Sequence, residues 1–259
     1  MNIEYNLHTH TKRCHHAGGD VKDYAAEAAK AGIKVLGMSD HGPFKDFFPG
    51  CRMDFEDVED YRQECLAVRE EYKGRMDLKI GFEYEYIRSR DALYEEMLTK
   101  YQFEYLVLGQ HFFEDRSGNM LYVYQMDDTQ EFIEYALSVN EGMKTGYFKF
   151  AAHPDLIFMH DLGWDINCDR ACDIIVDGAV KGGYMLEYNA NGLRRGIGQF
   201  KDGERYQYPH RKMFERIKEA GIEVIINSDC HQPEQVADEE MVKAYKMCEE
   251  MGLKLYELK

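Results

Sequence analysis

Apolar residues of the 259-residue chain gather into seven short runs rich in β-branched and aromatic side chains, at 3–10, 34–41, 78–86, 105–112, 148–155, 184–191 and 223–231. Between them the period lengthens to that of amphipathic helices, at 21–31, 55–72, 92–101, 129–144, 170–181 and 210–220, with a last one near 234–251. Several of these end at a glycine just before the next strand, as at Gly32, Gly74 and Gly221. Strand and helix in regular alternation predict an α/β fold, a parallel sheet covered by helices, and seven units fit one closed or nearly closed barrel. A doubly wound open sheet is the alternative. No Pro/Gly/Ser-rich linker divides the chain, which predicts a single domain over residues 1–259. The stretch 43–54 is a longer irregular loop, placed to cover a site.

The formal charge of −16 leaves no Lys/Arg footprint for long nucleic acid or an anionic membrane. The first residues lack the basic start and apolar core of a secretory signal, and no apolar run approaches bilayer length. Seven cysteines without a CxxC fit a reducing cytoplasm, with Cys168 and Cys172 at helical spacing read as packed thiols.

The chemistry lies where the apolar runs stop. The first ends in His8-Thr9-His10, the second in Asp40-His41, the third in Glu83, the fourth in His111, the fifth in His153 and the seventh in Asp229-Cys230-His231. Parallel strands all point one way, so these side chains meet at the C-terminal mouth of the barrel. His8 and His10, like Asp229 and His231, are two apart and share a strand face. Imidazoles crowded at one mouth need partners for their ring nitrogens, and metal ions supply them. His16, in the first loop, joins the set with neighbouring His15 as the alternative donor. His8, His10, His16, His41, Glu83, His111, His153, Asp229 and His231 are then nine candidate ligands, too many for one ion that closes at four to six. Two or three ions sharing a carboxylate are predicted, and a donor set of imidazole and carboxylate without thiolate suits Zn, Mn or Fe. Three dications would move the net charge from −16 to −10 and favour a small anionic substrate at the mouth.

In order along the chain stand His8-Thr9-His10-Thr11, Cys14-His15-His16-Ala17, Ser39-Asp40-His41, Gly81-Phe82-Glu83, Gly109-Gln110-His111-Phe112, Ala152-His153-Pro154-Asp155-Leu156 and Ser228-Asp229-Cys230-His231. Together they make the chain resemble the polymerase-and-histidinol-phosphatase (PHP) superfamily of metal-dependent phosphoesterases over nearly its whole length. Asn189-Ala190-Asn191-Gly192-Leu193-Arg194 and Tyr208-Pro209 are similar to segments of its histidinol-phosphatase branch. The resemblance implies a distorted (β/α)7 TIM-like barrel and three divalent ions. His8, His10, Glu83 and Asp229 would hold one; Glu83 would bridge to a second on His111 and His153; His16, His41 and His231 would hold the third. It also selects Glu83 over Glu85 as bridge, and His16 over His15.

The implied activity is that of a phosphoric monoester hydrolase, most simply a histidinol-phosphatase of histidine biosynthesis, in which water activated by the ions attacks phosphorus in line. Glu83, Asp229 and His231 are assigned to the catalytic step. Asp155, two residues beyond His153, is a candidate acid for the leaving group, or else a helix cap. For the substrate, Arg194 is preferred from the family pattern as a bidentate phosphate ligand, with Arg195 beside it, Asn189 on the same strand end and Arg52 reaching in from the 43–54 loop. Competing readings are another small ester (a nucleotide, sugar phosphate or phosphotyrosine), an amidohydrolase, a polymerase-associated nuclease, and a metal-binding module without activity. The amidohydrolase reading lacks its usual bridging lysine, since His111 stands on the fourth strand. The sequence leaves the oligomeric state open.

Overall fold

Strands buried on both faces read as continuous apolar runs, and each of the seven runs contributes a strand to the computed structural model, which describes residues 3–46 and 50–258. These are β1 (Tyr5–Asn6), β2 (Val35–Met38), β3 (Asp77–Tyr84), β4 (Tyr105–Leu108), β7 (Phe148–Ala151), β8 (Met185–Asn189) and β11 (Glu223–Asn227). Two hairpins interrupt the series, β5 (Phe112–Glu114) with β6 (Met120–Tyr122) and β9 (Ile197–Phe200) with β10 (Gly203–Tyr206), and β12 (Lys254–Leu255) closes it. The main sheet runs β1-β2-β3-β4-β7-β8-β11-β12, every pairing parallel. This order never reverses, which removes the doubly wound alternative, because that fold has a switch point. The helices are α1 (Val21–Ala31), α2 (Val58–Tyr72), α3 (Asp91–Thr99), α4 (Gln130–Lys144), α5 (Ile166–Gly182), α6 (Ala190–Arg194), α7 (Arg211–Glu219) and α8 (Glu239–Met251).

The sheet curls until its ends meet, and the seam is built in two halves. At the base, β12 pairs with β11 through Glu223–Lys254 and Val224–Leu255. At the mouth, β11 meets β1 through an isolated parallel bridge, Thr9–Cys230, in which the His10 amide donates to the Cys230 carbonyl at 3.0 Å. Between the halves two amides stitch the strands: Asn227 Oδ1 accepts from Leu7 N at 2.8 Å and Asn6 Oδ1 from Ser228 N at 3.2 Å. The result is a distorted barrel with one strand more than the seven expected.

Two apolar cores flank the sheet. The larger packs helices on its outer face; the smaller, Tyr5, Leu7, Tyr105, Val107, Phe150, Ala152 and Ile225, fills the barrel below the mouth. Tyr105 crosses that interior, its hydroxyl donating to the Leu7 carbonyl at 3.0 Å. Room for it comes from Gly37, where a Cβ would stand 2.2 Å from the Tyr105 hydroxyl oxygen.

The strands are shorter than the apolar runs because the backbone leaves the ladder where the polar ends begin. His153 and Asp229 take positive φ, 26° and 48°, a conformation costly for residues other than glycine. Asn191, the last residue of the 184–191 run, lies in α6 rather than on the strand. Helix α5 starts earlier than residue 170, capped by Asp165, which accepts from the Asn167 and Cys168 amides. All seven cysteines are free, and no helix among the described residues is long and apolar enough to cross a membrane.

Candidate metal centre

Glu83, at the inward end of β3, stands at the middle of the mouth. Its Oε1 lies 3.0 Å from His153 Nε2 and 3.4 Å from His8 Nε2, its Oε2 2.7 Å from His41 Nδ1, and His111 Nε2 is 3.9 Å away. Asp229 Oδ1 lies 3.0 Å from His10 Nε2 and 3.7 Å from His8 Nε2. The His10 ring packs against those of both His41 and His231, with centroids 4.1 and 4.4 Å away. Four sets of donors thus converge, each with its atoms within 4.8 Å of one another: His8/Glu83/His153, His8/His10/Asp229, His41/Glu83/His111 and His10/His41/His231.

Histidines at the mouth are oriented from behind. His8 Nδ1 meets Glu187 at 2.9 Å and His111 Nδ1 meets Glu85 at 2.8 Å. His16 and His231 turn Nδ1 to the carbonyls of Cys14 and Asp229, at 2.9 and 3.2 Å. Their protons therefore sit on Nδ1, and the two Nε2 lone pairs face each other at 2.9 Å. A shared proton is disfavoured, since burial lowers His16 and pushes His231 down to about 3. A cation answers the same need. Deeper in, His8 Nε2 is buried without a hydrogen-bond partner, and His41 Nδ1 and Glu83 Oε2, though 2.7 Å apart, are not aligned to share a hydrogen bond, a pattern that marks a missing partner.

The electrostatics ask for positive charge at depth. Burial pushes the Glu83 carboxyl up, but His41, His111, His8 and His153 together hold it well below its usual range. Asp229 is lowered in the same way, against burial, by His8, His10 and His231. Burial pushes His8 down, yet Glu187, Asp229 and Glu83 raise it well above its ordinary value. His41, buried between His10 and Arg52, is lowered well below. Donor chemistry, lone-pair convergence and charge all fit divalent cations.

All nine residues singled out as ligands lie at this mouth. Of the adjacent pair, His16 faces inward and His15 turns out to Asp54, 3.2 Å from Nε2. Above the cluster opens a cavity of about 500 Å³ whose walls include Arg52, Tyr124, Asn191, Arg195, Tyr208 and Gln235. Residues 47–49 of the loop expected to cover the site lie outside the described residues; Gly50, Cys51 and Arg52 of that loop line the cavity.

The assignments beyond the ligands need correction. Arg194 does not face the cavity: it donates to Asp238 at 2.7 and 3.0 Å, to the Ser228 carbonyl and hydroxyl at 2.6 and 2.7 Å, and to the Gln235 carbonyl at 3.0 Å. Successive residues of a helix point about 100° apart, so α6 turns Arg194 toward α8 and leaves the following Arg195 at the cavity, its guanidinium 5.6 Å from the Tyr208 ring centre. Asn189 caps α6 and donates to Glu187 and Asp229, at 2.8 and 3.1 Å. Asp155 is not at the cavity; it stands at the N-cap position of a short 3-10 turn, Leu156–Met159, without a side-chain capping bond, is buried, accepts from the His210 amide, and burial raises its carboxyl to about 6. The turn at His153 carries it off the strand face. Arg52 lines the cavity, yet its guanidinium is bound by Glu85 and lies 3.3 Å from His111 Nδ1. Sequence reading missed Glu187, Tyr124 and Gln235. Glu187 had a signal, an acid facing inward on a buried strand.

A parallel barrel whose C-terminal mouth is lined by imidazoles and carboxylates around one central glutamate defines a class of metal-centred hydrolytic sites. Residues 6–191 match the PHP domain family model, and the chain belongs to that family. It is 26% identical over 236 residues to a Deinococcus radiodurans protein named "Probable histidinol-phosphatase", covering 88% of this chain and 86% of that one. It is 22% identical to the histidinol-phosphatase of Bacillus subtilis, covering 87% and 92%. The crystal structure of histidinol phosphate phosphatase from Lactococcus lactis, complexed with zinc, L-histidinol and phosphate, superposes with a TM-score of 0.72 at 16% identity over 97% of this chain and 95% of that one. At that identity the likeness is one of fold.

Proposed function

We propose that this chain is a divalent-metal-dependent phosphomonoesterase that hydrolyses L-histidinol phosphate to L-histidinol and phosphate. The observation that carries the metal dependence is the convergence of unpartnered donor atoms on Glu83 and between His16 and His231; the substrate comes from the names and complex of the relatives. Three ions are assigned: one to His8, His10, Glu83 and Asp229, a second to Glu83, His111 and His153, a third to His16, His41 and His231. Zinc is the ion in the Lactococcus complex; Mn and Fe suit the same donors. We assign residues 1–259 to one PHP domain, because Asp229 and His231 lie beyond the matched segment but complete the cluster.

When bound, the ions supply Lewis acidity, lowering the pKa of water toward neutrality and polarising phosphoryl oxygens. The chain's own part is to bind and orient. Arg195, exposed at the cavity wall, offers a guanidinium to the phosphate. Arg52, already held by Glu85, adds positive charge beside His111. Tyr124 and Tyr208 form an aromatic wall suited to the flat imidazole of the leaving group. A cavity of about 500 Å³ fits a small ester. The seven free cysteines support a cytoplasmic setting.

The test is elemental analysis of purified protein together with phosphate release from L-histidinol phosphate, nucleotides, sugar phosphates and a phosphotyrosine peptide. Bound divalent ions with selective turnover of L-histidinol phosphate are expected. Turnover favouring another ester would overturn the substrate, and full activity in metal-free protein would overturn the mechanism.

A further inference from the structure

Glu187, on β8, is completely buried and accepts from four donors on four segments. Its Oε1 takes His8 Nδ1 and Asn227 Nδ2, each at 2.9 Å; its Oε2 takes the His153 amide at 3.0 Å and Asn189 Nδ2 at 2.8 Å. Neither asparagine can reverse its amide. Asn227 Oδ1 is needed by the Leu7 amide and Asn189 Oδ1 by the Asn191 amide, both at 2.8 Å. Only a carboxylate satisfies four donors facing two oxygens.

We propose that Glu187 is the positioning residue of the inner metal site: it fixes His8 as the Nδ1–H tautomer and pins the strained backbone of His153. The inference rests on the reading that this cluster holds divalent cations. With its proton on Nδ1, His8 presents the Nε2 lone pair to the space it shares with Glu83 Oε1, 3.4 Å away, and Asp229 Oδ1, 3.7 Å away. Three acceptors then converge on one point. The same carboxylate holds His153 at the positive φ that aims Nε2 at Glu83. A glutamine of equal shape has one acceptor and an NH2 that would confront two N–H donors. Moving the His8 proton to Nε2 relieves the clash only by pointing hydrogen into the place the ion needs.

Zinc-loaded wild type and Glu187→Gln are compared by ion release to a competing chelator, by KM for L-histidinol phosphate, and by 15N NMR of the histidine rings, with His8 assigned through His8→Gln. We expect metal affinity about 10- to 100-fold weaker in Glu187→Gln, with KM little changed in the fully loaded protein, and a wild-type His8 that keeps its proton on Nδ1. A wild type that takes up no zinc overturns the metal reading itself. A zinc-loaded wild type with Glu187→Gln releasing its ions at the same rate overturns the role of Glu187 alone. Should Glu187→Gln not fold, the wild-type spectrum decides: a His8 ring unprotonated at Nδ1 overturns the proposal, and Nδ1–H upholds it.

Discussion

At the floor of the mouth His8 and His111 lean on carboxylates, Glu187 and Glu85, whereas at the rim His16 and His231 lean on the backbone carbonyls of Cys14 and Asp229. The floor is more deeply set, with His8, Glu83 and His153 almost wholly buried and the His111 side chain 12% exposed, while the His231 side chain is 21% exposed. An anionic partner makes an imidazole a stronger donor to a cation than a neutral carbonyl does, and a dry site strengthens every charge within it. On the proposed assignment of ions the two layers would differ in grip: the floor would keep its ions and the rim would exchange them with solvent.

The largest effect that would break this contrast comes from Glu83. Glu83→Gln removes a charge from the midst of four imidazoles, and we expect kcat to fall by about 10³-fold without recovery in excess divalent cation. His231→Ala should lose less, about 10- to 100-fold, and recover as cation is added. If steady-state assays across a metal titration restore both variants alike, the layers do not differ.

Next in size is the loop that carries a residue of each layer, Asp229 and His231. Arg194 ties it to α6 and α8, and losing these half-buried charged hydrogen bonds in Arg194→Ala should cost about 1.5–3 kcal/mol in urea unfolding. Arg195→Ala, its neighbour at the cavity, should leave stability within about 0.5 kcal/mol and raise KM about 10-fold or more, the worth of a charged hydrogen bond. Reversed outcomes would return Arg194 to the phosphate.

A separate effect, confined to acid, concerns a histidine outside both layers. His210 has an acidic partner, Asp202 at 3.1 Å, and stacks on Trp164, with Arg205 and Lys212 nearby; burial pushes it down to about 4. Between pH 6.5 and 4 the unfolded chain binds a proton that the folded one refuses. Its contribution is therefore complete above about pH 6.5 and lost as pH falls toward 4, up to roughly 3 kcal/mol. Unfolding curves at pH 7 and 4.5 should show His210→Asn less sensitive to acid than wild type; parallel losses would refute a neutral His210. A carboxylate partner alone, then, does not raise a histidine, and the floor owes its positive bias to several acids acting at once.

Much of this architecture is legible because a strand buried on both sides has no polar positions to blur it. Val35–Met38 and Tyr105–Leu108 are such segments. Hairpin β9–β10 buries none of its residues and β12 spans only two, so neither presents an apolar run to read. The convergence at the mouth was legible because parallel strands turn sequence spacing into one rim. The partners behind it were less so: Glu187 shows only as an acid on the inward face of a buried strand, Asn227 is an ordinary polar residue until four strands bring the network together, and Arg194 and Arg195 differ only by one step around a short helix.

The seam has a kinetic consequence. Since β12 occupies the lower edge of β11, the first strand meets the seventh through the Thr9–Cys230 bridge above the Asn6 and Asn227 stitches. Loosening of that corner would part His10 from Asp229 while the β8–β11 ladder stays zipped. The proposed ions would then load by a local breathing event, which the His10 amide would betray by trading its proton for deuterium well before Ile225 or Ile226 does.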